Sequence, residues 1–179
     1  MHQKVKQHEE NTVKTPLNIA VLTVSDTRTP ETDHSGNYLK EVLSKDGHLC
    51  VDHKIVKDHK YEIRAVLSAW IFSPEVEVIL ITGGTGFSGR DTTPEAVLPL
   101  LDKEMPGFGE LFRHVSYQEI HSSTIQSRAF AGSANYTVIF GLPGSTHACQ
   151  TGWEQTIQSQ LDSRFAPCNF VNLVKRKYG

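Results

Sequence analysis

The chain has 179 residues, is 38% hydrophobic and carries a formal net charge of -2. That length supports one sizeable core rather than two, and the near-neutral charge argues against binding nucleic acid by phosphate neutralisation. No apolar stretch is long enough to span a membrane, and Met1 to Thr15 is polar, without the apolar segment of a secretory signal. A mobile tail over residues 1–15, one domain over 16–179 and a cytoplasmic location are therefore expected.

In chain order, Pro16 marks the domain edge and Ile19 to Ser25 reads as a buried strand. A polar loop from Asp26 to Gly36 leads to Tyr38, Leu39, Val42 and Leu43 at helical spacing, closed by Gly47. His48 to Val56 reads as a second strand. Ile63, Val66, Leu67, Trp70 and Ile71 form an amphipathic helix stopped at Ser73-Pro74. Val76 to Ile81 is a third, β-branched strand. Past it, Thr92-Thr93-Pro94-Glu95 starts a helix, either with Thr92 as N-cap and Glu95 closing a capping box or with Thr93 as N-cap and Pro94 at N1.

Met105-Pro106-Gly107 breaks the chain before a helix carrying Phe108, Leu111, Phe112 and Val115. Ser122 to Ala131 reads as another helix, ended by Gly132. Tyr136 to Gly141 is a fourth strand, and Ser145 caps a last helix with Ala148, Trp153, Ile157 and Leu161 facing the core. Lys175-Arg176-Lys177 reads as a solvated tail. Strands alternating with helices predict an α/β domain of three layers, a mainly parallel sheet flanked by helices.

The segment after the third strand carries the chemistry. Thr82-Gly83-Gly84-Thr85-Gly86 and then Arg90-Asp91 place naked backbone amides and a carboxylate together, where an anion and a cation can both approach. No Lys follows the glycines, so the Walker pattern fails, and the dinucleotide fingerprint fails on its glycine spacing. The three cysteines, Cys50, Cys149 and Cys168, are scattered and odd in number, against a disulfide framework, and the nine histidines show no zinc spacing.

In such a sheet the loops at strand carboxyl ends share one edge. Here they carry Ser25 and Asp26, then Asp58, then Gly83 to Asp91, then Pro143-Gly144-Ser145. Acids beside glycine amides suit Mg²⁺ carrying phosphate groups, because Mg²⁺ takes one or two carboxylates and completes its shell with substrate oxygens. Each of these residues also has an ordinary reading as a turn or cap residue.

At these residues the chain resembles the MoaB/MogA molybdenum-cofactor biosynthesis proteins, most closely the bacterial MoaB branch, over about residues 17–170. The resemblance is carried by Leu22-Thr23-Val24-Ser25-Asp26, Asp33-His34-Ser35-Gly36, the stretch 81–96, Pro106-Gly107-Phe108-Gly109-Glu110, Ser123 to Ala129, Pro143-Gly144-Ser145 and Pro167-Cys168-Asn169-Phe170. It implies the molybdopterin-binding α/β fold, a homo-trimer or homo-hexamer, and contact with molybdopterin, a nucleotide and other enzymes of the pathway.

MogA-like members use Mg²⁺ and ATP to adenylylate molybdopterin. By motif position, Asp91 and Asp58 match their catalytic, Mg²⁺-holding acids, and Gly83, Gly84, Thr85 and Gly86 match the phosphate-cradling loop. Asp33, Ser35, Ser127 and Ser145 match positions that contact pterin or nucleotide. Ser25, Asp26 and Gly144, at the strand carboxyl ends, are expected in the same ligand site. Two positions depart from the pattern: Val56-Lys57-Asp58-His59 lacks the proline-acid sequence around the second acid, and His147 stands where Lys is usual. Two readings follow, an adenylyltransferase or a non-catalytic molybdopterin carrier.

Overall fold

The computed structural model describes residues 13–178. Six strands form one sheet: β1 (Asn18–Val24), β2 (Leu49–Val56), β3 (Val78–Thr82), β4 (Lys103–Glu104), β5 (Phe130–Ala134) and β6 (Thr137–Leu142), in the order β2-β1-β3-β6-β5-β4. β2, β1, β3 and β6 run parallel, while β5 and β4 add an antiparallel extension. The register sets Thr23 opposite Thr82 and Thr82 opposite Leu142, so three strands end level.

The sheet's pleat sorts its side chains into two cores. Ile19 and Val21 of β1, Val78 and Leu80 of β3, and Val138 and Phe140 of β6 face one core. Their neighbours Ala20, Leu22, Ile79, Ile81 and Ile139 face the other, the period-two alternation of strands buried on both sides. Helices α1 (His34–Lys45), α4 (Pro106–Ile120) and α5 (Thr146–Gly152) cover the first face, joined by Trp153, Ile157 and Leu161 beyond α5. Helices α2 (Lys60–Phe72) and α3 (Thr93–Val97) cover the second. Three layers around a mainly parallel sheet is the expected class.

Local signals hold at most element ends. Asp33 caps α1 by accepting the Gly36 amide, and Gly47 follows its end with φ +82°. Ser145 caps α5 through the Ala148 amide, and α2 stops at Ser73 before Pro74. Pro106 does not break the chain ahead of α4; it occupies the helix's first turn, where its missing N–H costs nothing.

Three expectations fail. Residues 122–131 do not form a helix: His121–Gln126 is a 3₁₀ segment, and the chain then extends into β5. Pairing with β6 through an Asn135-Tyr136 turn, both residues at positive φ, overrides the local helical pattern. Gly132 is a close-packed strand residue rather than a helix stop, since a Cβ there would lie 2.5 Å from the Lys103 carbonyl oxygen. The capping box does not form either, because Thr92 is the N-cap without a side-chain cap bond and Glu95 pairs with Arg128.

Thirdly, Lys175–Lys177 is not a free tail. The Lys177 ammonium donates to the carbonyls of Ile71, Ser73 and Val76 and to Thr137 Oγ1, and Lys175 pairs with Glu77. Of the expected N-terminal tail, most of residues 1–15 lies outside the described residues; within them, Lys14 pairs with Asp46 and the Thr15 amide donates to Ser163 Oγ.

One buried base ties this fold to pH. His48 is 3% exposed, its Nδ1 accepts the Leu17 amide at 3.1 Å, and burial pushes its pKa down to about 4, helped by Lys14 and opposed by Asp46. The unfolded chain takes up this proton near pH 6.5, before the folded chain does. The stability His48 contributes is therefore full above pH 6.5 and lost as pH falls towards 4, by roughly 3 kcal/mol. Urea unfolding of the wild type and of His48→Asn at pH 7 and pH 4.5 should show the smaller pH loss in the variant, whose amide oxygen can still accept from Leu17.

Candidate functional site

A cavity of about 570 Å³ opens at the carboxyl ends of β1, β3 and β6, where the crossovers from β1 and from β3 leave in opposite directions. Its floor is Thr23 to Ser25, Thr82 to Gly86 and Pro143 to Ser145. One wall comes from α4 and the turn after it, through Phe112, Ser116, Glu119, Ile120 and Thr124; Arg28, Asp91 and His147 stand at the rim.

The floor is built from backbone under tight constraint. Gly83 and Gly84 have φ of +103° and +64°, a left-handed pair that side chains resist. A Cβ on Gly83 would lie 2.2 Å from the Val24 carbonyl oxygen, and one on Gly84 would lie 2.3 Å from Thr93 Oγ1 and 2.7 Å from Asp58 Oδ2. The turn is fastened at both ends: the Gly83 amide donates to Leu142, and the Thr93 amide and hydroxyl donate to the Gly84 and Gly83 carbonyls. The amides of Gly84 and Thr85 have no protein acceptor among the described residues, which leaves them for an anion.

Two carboxylates flank this turn. Asp58 Oδ1 accepts from the Thr92 amide (3.0 Å) and hydroxyl (2.6 Å). Asp91 Oδ2 accepts the Ser88 amide at 2.7 Å and sits 2.8 Å from where a Gly86 Cβ would be. Partial burial pushes the Asp91 pKa upward, but hydrogen bonds from Ser88 and the Gly86 amide and the Arg128 charge outweigh it, holding it below the usual value. Asp58 Oδ2 accepts no hydrogen bond among the described residues, whereas the Asp91 carboxylate is also met by the Gly86 amide and the Ser88 side chain. No group of three or more His, Cys, Asp or Glu side chains is gathered for a metal among those residues, so any cation here takes most of its ligands from elsewhere.

The remaining sequence candidates separate. Ser25, Ser35, Ser127, Gly144 and Ser145 line the cavity with the glycine turn, while Asp26 and Asp58 do not line it, although Asp58 lies beside Gly84. Asp26 pairs with Arg90 and accepts the Asp58 amide at 3.2 Å, and Arg90 holds its carboxyl below the usual range. Asp33 does not line the cavity: its carboxylate is fully buried, accepts from Gly36, Thr23 and Ser35, lies 3.0 Å from His53 Nε2 and caps α1.

A family model described as "Probable molybdopterin binding domain" matches residues 20–163. The chain belongs to the MoaB/MogA molybdenum cofactor biosynthesis family. Molybdenum cofactor biosynthesis protein B of Escherichia coli (strain K12) is 57% identical over 161 residues, covering 90% of this chain and 95% of that protein. The crystal structure of a Molybdenum cofactor biosynthesis protein B matches with TM-score 0.82 at 40% identity, over 92% of this chain and 97% of that one. The tungsten cofactor synthesizing protein MoaB from Pyrococcus furiosus matches with TM-score 0.71 at 41% identity, over 78% and 89% of the two chains.

For this MoaB-family chain, sequence reasoning missed the α4 wall. Phe112, Ser116, Glu119 and Ile120 recur at helical spacing, and that mixed apolar and polar face was a usable signal. His147 lies at the rim with Nε2 3.1 Å from Glu119, which also accepts from Thr151. Gly83→Ala should destabilise the fold by at least about 2 kcal/mol, from a positive φ and the collision with Val24. Urea unfolding checks this, with Gly89→Ala, whose Cβ would meet nothing within 4 Å, as the near-neutral comparison.

Proposed function

We propose that this chain binds molybdopterin in the carboxyl-edge cavity, with the terminal phosphate on the Gly83–Gly86 turn, and that it acts as a Mg²⁺- and ATP-dependent molybdopterin adenylyltransferase. The observation that supports this reading is one turn whose Gly84 and Thr85 amides have no protein acceptor among the described residues, flanked by the Asp58 and Asp91 carboxylates. In the reaction, an oxygen of the pterin phosphate attacks the α-phosphorus of ATP, a new P–O–P linkage forms, and pyrophosphate leaves with the electron pair of the broken bond. The phosphate is already ionised, so no base is needed and catalysis is positioning and electrostatics.

The Gly84 and Thr85 amides would fix the pterin phosphate, and Phe112 and Ile120 offer an apolar wall to a flat ring, with Ser116, Thr124 and Ser127 as polar partners. Asp58 and Asp91 would hold Mg²⁺, which when bound neutralises charge on the transferring phosphates. The residues fit that role, because two carboxylates beside the glycine turn are the small protein share that Mg²⁺ takes beside phosphates.

A carrier reading has its own support. Asp58 is engaged twice by Thr92 as a brace between loops, and His147 paired with Glu119 removes a fixed positive charge from the rim. Asp58→Asn separates the two, since its amide oxygen can still accept from Thr92. An enzyme should keep near-normal molybdopterin binding and lose adenylyl transfer by about 100-fold or more; a carrier should show no functional change. Asp91→Ala should abolish transfer with the fold intact, and transfer at wild-type rate would remove Asp91 from the mechanism. Gly84→Val should lose molybdopterin binding, measured by equilibrium titration.

We further propose a trimer or hexamer. Leu111, Tyr117, Ile120 and Ile125 expose apolar surface on α4 and the turn after it, 46–77% exposed, beside the cavity wall. Light scattering at micromolar concentration should give three or six chains; a stable monomer would overturn this.

A further inference from the structure

We infer that Arg128 is the positioning residue that sets the Gly86–Asp91 loop, and with it the Asp91 carboxylate, against the glycine turn. Arg128 lies on the extended segment just before β5, and its side chain is 27% exposed. Nε donates to the Gly86 carbonyl at 2.7 Å, and Nη2 donates to the Asp91 carbonyl at 2.6 Å. Nη1 pairs with Glu95 at the start of α3, and the guanidinium lies over the Phe87 ring, 5.6 Å from its centroid. The Arg128 backbone amide adds a bond to the Thr85 carbonyl at 3.1 Å. One residue therefore grips both ends of the loop and the helix that follows it.

Among the described residues, the loop's other hydrogen bonds are local, between Ser88 and Arg90 or Asp91 and from the Gly86 amide to Asp91, or run from Arg90 to Asp26 at the exposed surface. A geometric coupling makes the Arg128 grip consequential. The carbonyl of the Asp91–Thr92 peptide goes to Arg128, and the N–H of that same peptide goes to Asp58 Oδ1 at 3.0 Å. Because the peptide is planar and trans, its two ends point in opposite directions, so Arg128 and Asp58 fix one plane from both sides. Releasing Arg128 removes one of the two holds on that plane and the side-chain hold on the Gly86 carbonyl, leaving Asp91 less firmly set against the turn.

Arg128 itself is anchored. Arg113 Nη1 on α4 donates to the carbonyls of Ser127 and Ala129, the neighbours on either side. The planar fork of a guanidinium can reach three acceptors at once, which a lysine ammonium on a flexible stem does not reproduce here.

This inference rests on the adenylyltransferase reading for its kinetic consequence, but the loop contact is testable without turnover. In full-length Arg128→Lys and Arg128→Gln, trypsin cleavage after exposed Arg90, followed by mass spectrometry, should rise about ten-fold or more while other cleavage sites keep wild-type rates. With MgATP and molybdopterin, kcat should fall by about 100-fold in both variants while the molybdopterin Kd changes little, with no rescue by the retained lysine charge. Wild-type cleavage at Arg90 in the lysine variant would overturn the inference, and so would an equal rise at every site, which marks general destabilisation. If the wild type makes no adenylylated product, the enzyme reading fails, and the cleavage contrast and pterin Kd still decide the role of Arg128.

Discussion

The chain leaves β3 through two left-handed residues wedged against the end of β1, and the rest of the site is arranged around that turn. Gly83 has no room for a side chain beside the Val24 carbonyl, and its amide is held by Leu142 at the end of β6. The turn is therefore pinned between the two strands that flank β3. What it gains is rigidity without side chains: the next two amides are presented to the cavity by backbone alone, where charge can be met without reorganisation. A more flexible loop would have to be ordered each time a ligand arrived.

The acids divide into those that support and those that face outward. Asp33 is fully buried, and its charge is tolerated because a helix amide, two hydroxyls and the neighbouring His53 ring surround it. Asp26 ties Arg90 to the loop after β2. Asp58 and Asp91 brace backbone beside the glycine turn, Asp58 through Thr92 and Asp91 through Ser88 and the Gly86 amide. The geometry thus couples loop order to the carboxylates, so a change to the bracing partner is also a change to the site.

The antiparallel extension serves the same edge. β5 and β4 carry the sheet beyond β6, and the segment that enters β5 delivers Ser127 to the cavity and Arg128 to the glycine loop. Its close packing depends on small residues: Gly141 receives the Phe130 ring, where a Cβ would lie 2.3 Å from Cε1. At the far edge, Lys177 closes carbonyls at the end of α2, so the last turn of the chain braces the layer opposite α4.

The parallel strands, helices α1, α2 and α5, the glycine turn and the family were legible in the sequence. Each rests on local chemistry: β-branched runs, helical spacing, caps at Asp33 and Ser145, and glycines that only a left-handed turn requires. Ser25, Ser35, Ser127 and Ser145 were named by motif and do line the cavity. The structure decided what depends on partners distant in the chain. Residues 130–134 became a strand because β6 lay beside them. Asp33 was turned inward by His53, 20 residues away, and Lys177 was drawn to carbonyls more than a hundred residues earlier. Arg128 meets the glycine loop across 37 to 42 residues, and no periodicity encodes such a meeting. Local patterns report on the backbone's own preferences, whereas the direction of a long polar side chain is set by whichever unpaired carbonyl or carboxylate the packed layers bring within its reach.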